Sequence, residues 1–135
     1  MKQVNLSLQA QVAYMIVMGF SLLLVPNIAL PLFKLSTTSE IWVRIVGALS
    51  LTFASYYYAC IKSEHLPFYR ITVWGRYFFC SCLVVLALTG MGELPILIFA
   101  LTELSLAIWT QVCLKKINEI KGLVLAFGSL YIYLA

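Results

Sequence analysis

The sequence predicts an all-α polytopic membrane protein, a four-transmembrane-helix bundle with a short apolar C-terminal tail. Three observations predict it. Of 135 residues, 63% are apolar and only 10% charged, whereas a soluble domain carries about a quarter charged residues. So small a chain has too little interior to hide that much apolar surface from water. The apolar residues also fall into long runs separated by short polar breaks that hold most of the charges, as spanning helices and their connections do.

The first apolar run covers Val12 to about Phe33, after the polar start Lys2, Gln3, Asn5, Ser7, Gln9 and Gln11. With its flank it predicts a helix over about 10–33. The run resembles a signal-peptide core, but Pro26, Asn27 and Pro31 follow instead of a small-x-small cleavage site. An uncleaved first helix is therefore expected, kinked or ended near Pro26. Next, Thr37 and Glu40 have the spacing of a capping box, which starts a second helix over 41–61, about 30 Å long at 1.5 Å per residue. The connection from Lys62 to Arg70 is polar and carries Pro67. A third helix is expected over 71–89, then a turn at Gly90–Pro95, then a fourth helix over 96–114. Behind Lys115–Lys121 lies a last apolar stretch, Leu123 to Ala135. Thirteen helical residues reach only about 20 Å, so an interfacial or partly inserted tail over about 120–135 is expected. No repeat or linker divides the chain, which reads as a single membrane domain over 1–135.

Orientation follows from the basic residues. With the N-terminus in the cytoplasm, the inner flanks hold Lys2, Lys62, Arg70, Lys115, Lys116 and Lys121, and the outer flanks only Lys34 and Arg44. Trp42 marks the outer boundary, Trp74 and Trp109 the inner one. A multi-pass protein of the cell inner membrane is expected. The scattered cations form no stripe interleaved with aromatics, which excludes a nucleic-acid footprint.

Ionisable groups inside a bilayer cost roughly 2.5–3.5 kcal/mol each unless paired, so they are the first candidates for a site. Arg44, Arg76 and Glu103 qualify. Counted along the expected helices, Glu103 lies about 10 Å below the outer surface and Arg44 about 4–5 Å, while Arg76 lies about 7–8 Å above the inner one. The smaller depth gap predicts an Arg44–Glu103 contact. Glu103 reads either as a proton- or cation-binding carboxylate or as half of an interhelical ion pair. Of Tyr56, Tyr57 and Tyr58, at least one should face the bundle and reach the depth of Arg76, with Tyr57 the candidate. Two small-residue faces are expected to pack closely: Ala100, Glu103, Ala107 and Thr110 on the fourth helix, and Ala48, Thr52, Ser55 and Ala59 on the second.

The remaining chemistry is thin. Cys60, Cys80, Cys82 and Cys113 form no Cys-x-x-Cys pair and lack zinc-type spacing, so they read as packing residues and no metal is expected. His65 is the one histidine, without a partner for base catalysis. No nucleophile elbow, phosphate loop or His-x-x-x-His pair is present, and no catalytic residue or cofactor is expected.

The layout resembles the small bacterial DoxX-like four-helix membrane proteins. The likeness rests on Arg44-Ile45-Val46-Gly47-Ala48 opening the second helix, on Val25-Pro26-Asn27 to Pro31-Leu32-Phe33, and on Pro67-Phe68-Tyr69-Arg70 with Gly75-Arg76. It covers most of residues 10–114. The resemblance implies the fold alone: some relatives are linked to quinone or thiosulfate redox chemistry, and no redox residue here matches that role.

Together these readings predict a non-enzymatic inner-membrane protein that binds a membrane-protein partner, a second copy or a hydrophobic small molecule within the bundle. A small proton-coupled transporter or exporter using Glu103 is the first alternative, and a membrane-embedded lipid or quinone enzyme the second. Small multidrug exporters carry their essential glutamate in helix one, which here has no acid.

Overall fold

The computed structural model describes residues 1–134, without the side chains of 126, 128 and 130–134. Its described residues form helices joined by short turns, with no strand: α1 (Lys2–Leu24), α2 (Pro26–Leu32), α3 (Ile41–Lys62), α4 (Leu66–Leu88) and α5 (Leu97–Leu134), with a 3-10 turn at Leu94–Ile96. Among the described residues, three stretches are long and apolar enough to cross a membrane, namely Lys2–Leu24, Leu66–Leu88 and Leu94–Leu125. α3 has the length, 22 residues, but Arg44, Ser50, Thr52, Ser55 and its three tyrosines dilute its apolar character. The exterior is apolar around the whole molecule, with Trp74, Phe78, Leu88 and Ile41 among the most exposed side chains. A surface of that kind is compatible with a multi-pass membrane protein and hostile to water.

The helix boundaries differ from expectation for local reasons. α1 begins at Lys2, eight residues ahead of the expected start at 10. The polar start is part of the helix because Val4, Ser7, Leu8, Gln11 and Val12 form one buried stripe at helical spacing. α1 ends at Leu24, where Val25 leaves helical geometry at φ −134°, ψ 53°, and Pro26 opens α2. A proline has no N–H to continue the ladder and fits the first turn of a new helix. α2 closes at Lys34, φ 59°, where the Leu35 and Lys34 amides bond to Leu30 and Pro31 carbonyls. That is the Schellman closure, usually made by glycine.

The expected capping box at Thr37 and Glu40 does not form. Glu40 is itself the cap residue, extended at φ −72°, ψ 132°, whereas the box needs its glutamate inside the first turn. The Glu40 amide donates instead to the Thr38 hydroxyl at 3.1 Å, and the Glu40 carboxylate accepts from the Trp42 indole. α4 starts at Leu66, five residues before the expected 71, because Pro67 sits in its first turn and so begins the helix rather than delaying it. The tail is no separate element. α5 runs unbroken to Leu134 over 38 residues, about 57 Å at 1.5 Å per residue. The part of the tail reading that concerns the side chains of 126, 128 and 130–134, and residue 135, lies outside the described residues.

Packing arranges the helices as two hairpin-like pairs, α1 on α3 and α4 on α5, joined by α1 against α5. α1 and α3 meet at Gly19 and Gly47. A Cβ on Gly47 would stand 2.6 Å from the Leu23 nitrogen and 2.8 Å from the Gly19 carbonyl oxygen, so only glycine permits that approach. Toward the other end of α1, Val4, Leu8 and Val12 pack with Ala54, Tyr57, Ile61, Tyr69, Val73, Cys113 and Leu114. Tyr69 is fully buried there, its hydroxyl 3.1 Å from Asn5 Oδ1 and 3.3 Å from the Cys60 carbonyl.

The two small-residue faces fare differently. Ala100, Glu103, Ala107 and Thr110 are all buried on α5. On α3, by contrast, Ala48, Thr52, Ser55 and Ala59 are exposed, and the packing face is Val43, Gly47, Ala54, Tyr57 and Ile61. The larger side chains of α3 fill the interior, and one glycine provides the close contact.

Candidate functional site

Among the described residues six polar side chains are buried, and they come from three helices: Ser7 and Gln11 on α1, Thr72 and Arg76 on α4, Glu103 and Thr110 on α5. Each lies on its helix's inward stripe. Ser7 and Gln11 are one helical turn apart, as are Thr72 and Arg76, and Glu103 and Thr110 are two turns apart.

Gln11 is the junction. Its Nε2 donates to Glu103, 3.1 Å from both carboxylate oxygens. At the other end of the same amide, Oε1 accepts from Arg76 Nη1 at 3.4 Å. The guanidinium is further held by the Thr72 carbonyl oxygen at 3.3 Å, the Thr72 hydroxyl at 3.5 Å and the Thr110 hydroxyl at 3.1 Å. Thr110 passes its own proton to the Leu106 carbonyl and lies 3.1 Å from the Ser7 hydroxyl. Gln11 is 0% exposed, Arg76 4% and Glu103 6%. No buried side-chain nitrogen or oxygen among the described residues lacks a partner, as a polar network out of water requires.

The arrangement joins a carboxyl and a guanidinium through one amide, and each touches only neutral groups directly. Arg76 cannot shed its proton, and Glu103 is the acidic side chain bonded into its network.

Of the sequence candidates, the structure brings Arg76 and Glu103 together and leaves Arg44 apart. The expected Arg44–Glu103 contact is not made. α1 lies between α3 and α5, so similar depth does not bring those side chains together. Arg44 is exposed and donates to the Leu23 carbonyl oxygen at 2.5 Å and to that of Leu24 at 3.3 Å. Those carbonyls lose helical partners where Pro26 interrupts the ladder, and a cation at a helix C-terminus is favourable. Tyr57 is the buried member of its trio, with Tyr56 and Tyr58 exposed. Its ring meets Phe68 edge-on at 5.3 Å. Cys60, Cys80, Cys82 and Cys113 are free thiols, and Cys80 lies 3.3 Å from the Ala100 carbonyl oxygen. His65 is exposed at the head of α4. Among the described residues no group of three metal-ligating side chains comes together.

Gln11, Ser7, Thr72 and Thr110 complete the site as charge-bearing residues alone could not. Comparison with protein-family models, with curated proteins and with solved structures finds no match to this chain.

Proposed function

We propose that this chain is a non-enzymatic, four-span protein of a bacterial inner membrane that binds a membrane partner or a hydrophobic small molecule. In this reading the buried polar network clamps the bundle. One observation carries it: the core around Glu103 is closed by its own side chains, with every buried polar side-chain atom of the described residues partnered. An occupant then lies against the outer faces of the helices rather than at the carboxylate.

Several features support the finer parts of the proposal. As the fourth span, α3 runs antiparallel to α1 and turns Ile45, Leu49 and Phe53 outward. Lys2, Lys62, Arg70 and Lys115 gather at one end of the bundle, where Asn5 bonds to Glu64 and Arg70 to Asn118. That end is cytoplasmic by the positive-inside rule. The likeness to DoxX-like proteins belongs to the same proposal, and its Arg44 and Gly47 both act at the α1–α3 contact.

A second reading makes Glu103 a proton carrier in a small transporter. It is favoured by the identity of the direct partner, a neutral amide rather than a guanidinium. Proton flux into liposomes containing the purified protein, followed with an entrapped pH-sensitive dye, separates the two. We expect wild type and Glu103→Gln to leak alike. Flux that depends on Glu103 would overturn the clamp in favour of transport.

A further inference from the structure

A groove of about 290 Å³ lies between α4 and α5, away from the polar core. Arg70 and Trp74 line it from α4, Gln111, Lys115 and Asn118 from α5, and Val73 and Leu114 complete its apolar wall. On each helix these positions recur every three or four residues, so each element contributes one continuous face. Two cations and no carboxylate are among the lining residues.

The polar groups of the groove are pre-arranged by bonds across the two helices. Arg70 Nη2 donates to Asn118 Oδ1 at 2.9 Å, a bond that ties the guanidinium across the two helices at the groove. Gln111 is held through its Oε1 by the Tyr77 hydroxyl, which keeps its amide N–H₂ available. Trp74 lies one helical turn further along α4 than Arg70 and is 74% exposed, as an indole resting in the bilayer interface is. Along the groove, the cationic end at Arg70, Lys115 and Asn118 therefore gives way to an aromatic and aliphatic wall, with the Gln111 amide at its far end. At about 300–1,000 Å³ for pockets that enclose drug-sized ligands, this volume suits a headgroup whose hydrocarbon stays outside.

We propose that the groove binds the phosphate headgroup of an anionic membrane lipid. Arg70 and Lys115 face the phosphate, the glycerol backbone runs along Trp74, Val73 and Leu114, and Gln111, two helical turns deeper than Asn118, donates to an acyl ester carbonyl. Basic pockets between helices at the cytoplasmic face hold such headgroups, and guanidinium is the cation whose fork fits phosphate. The inference rests on the reading of the chain as a membrane-spanning bundle and is independent of what Glu103 does.

The test uses full-length protein carrying Trp42→Phe and Trp109→Phe in nanodiscs, with Trp74 fluorescence quenched by brominated phosphatidylglycerol or brominated phosphatidylcholine. The expected result is a preference of about tenfold for the anionic lipid, from two cations near the surface. It should fall to within about twofold of unity in Lys115→Gln and in Arg70→Gln/Lys115→Gln, and weaken with salt. Lys115→Gln alone keeps the Arg70–Asn118 bond, so its loss of preference cannot be blamed on a disturbed fold. Equal quenching by both lipids overturns the site while leaving the spanning reading intact. No quenching by either lipid overturns the spanning reading itself. Millimolar inorganic phosphate, compared with sodium chloride at equal ionic strength, should leave the preference unchanged. Specific competition by phosphate would assign the groove to a soluble phosphate compound and overturn the lipid.

Discussion

Replacing Glu103 by glutamine leaves Arg76 buried at 4% exposure with Gln11, Thr72 and Thr110 around it and no countercharge in the network. The hydrogen bonds of 3.1 and 3.4 Å through the Gln11 amide separate the two charges by roughly 8 Å, for which Coulomb's law at an effective dielectric of about 20 gives about 2 kcal/mol. Breaking a buried pair by removing one partner costs up to about 3–5 kcal/mol, since the survivor keeps its desolvation penalty. We therefore expect Glu103→Gln to destabilise the bundle by about 2–4 kcal/mol. Arginine holds its charge from about pH 5 to about pH 8, so the loss lasts for as long as Glu103 is ionised and fades where Glu103 takes up a proton. The assay is reversible unfolding in mixed micelles of the two single variants, Glu103→Gln and Arg76→Gln, and of the double variant. If the relay couples the charges, the double variant loses at least about 1.5 kcal/mol less than the singles added together. Additivity to within about 0.5 kcal/mol would mean that the two residues do not sense each other. A neutral Glu103→Gln would mean that the carboxyl already carries a proton in the folded state, and the clamp would give way to the proton-carrier reading.

Two further substitutions probe the frame around the network. Tyr69→Phe removes the hydroxyl that lies against Asn5, Cys60 and Ile61 and should cost about 1–2 kcal/mol in the same unfolding assay; no loss would show that Asn5 finds another donor. Lys34→Gly relieves a left-handed residue at φ 59° and should stabilise by about 1 kcal/mol, whereas a loss would show that the Lys34 side chain contributes more than its backbone costs.

How much of this was legible in the sequence depends on what each residue signals. Arg76 and Glu103 stand out because charge inside an apolar run is expensive and so must have a reason. Tyr57 follows from three successive tyrosines on a helix, one of which must turn inward. The small face of α5 follows from spacing alone, and Pro26 marks the end of α1 through its missing N–H. Gln11 and Ser7 were hidden, since polar residues ahead of an apolar run read as a flank. The available signal was their spacing with Val4, Leu8 and Val12, an inward stripe that happens to carry polar groups. The misassigned arginine has a geometric cause. Depth along a helix is one coordinate, whereas contact also needs the lateral arrangement, and nothing in the sequence places α1 between α3 and α5. The exposed small face of α3 teaches the same lesson: small residues permit close approach but do not specify which neighbour approaches.

The network ties α1, α4 and α5, but none of its six residues lies on α3. α3 is held on α1 by the glycine contact and by Ser50, whose hydroxyl donates to the Met15 carbonyl at 3.0 Å. Arg44 adds its bonds to the end of α1, and toward the other end Tyr57 and Ile61 join the shared core. The bundle should therefore loosen in two steps, α3 first. Gly47→Val tests this directly. The atoms that a new side chain would meet within 3.0 Å are backbone, the Leu23 nitrogen and the Gly19 carbonyl oxygen, so no side-chain rearrangement can make room. The helices must separate, at a cost of several kcal/mol, toward the upper end of the range for single substitutions. Hydrogen exchange in detergent should then rise along α3 and the first half of α2's connection while α4 and α5 stay protected, because their ties through Gln11, Arg76 and Glu103 are untouched. Uniform loss of protection across all the helices would refute the hierarchy and make α3 as integral to the clamp as α5.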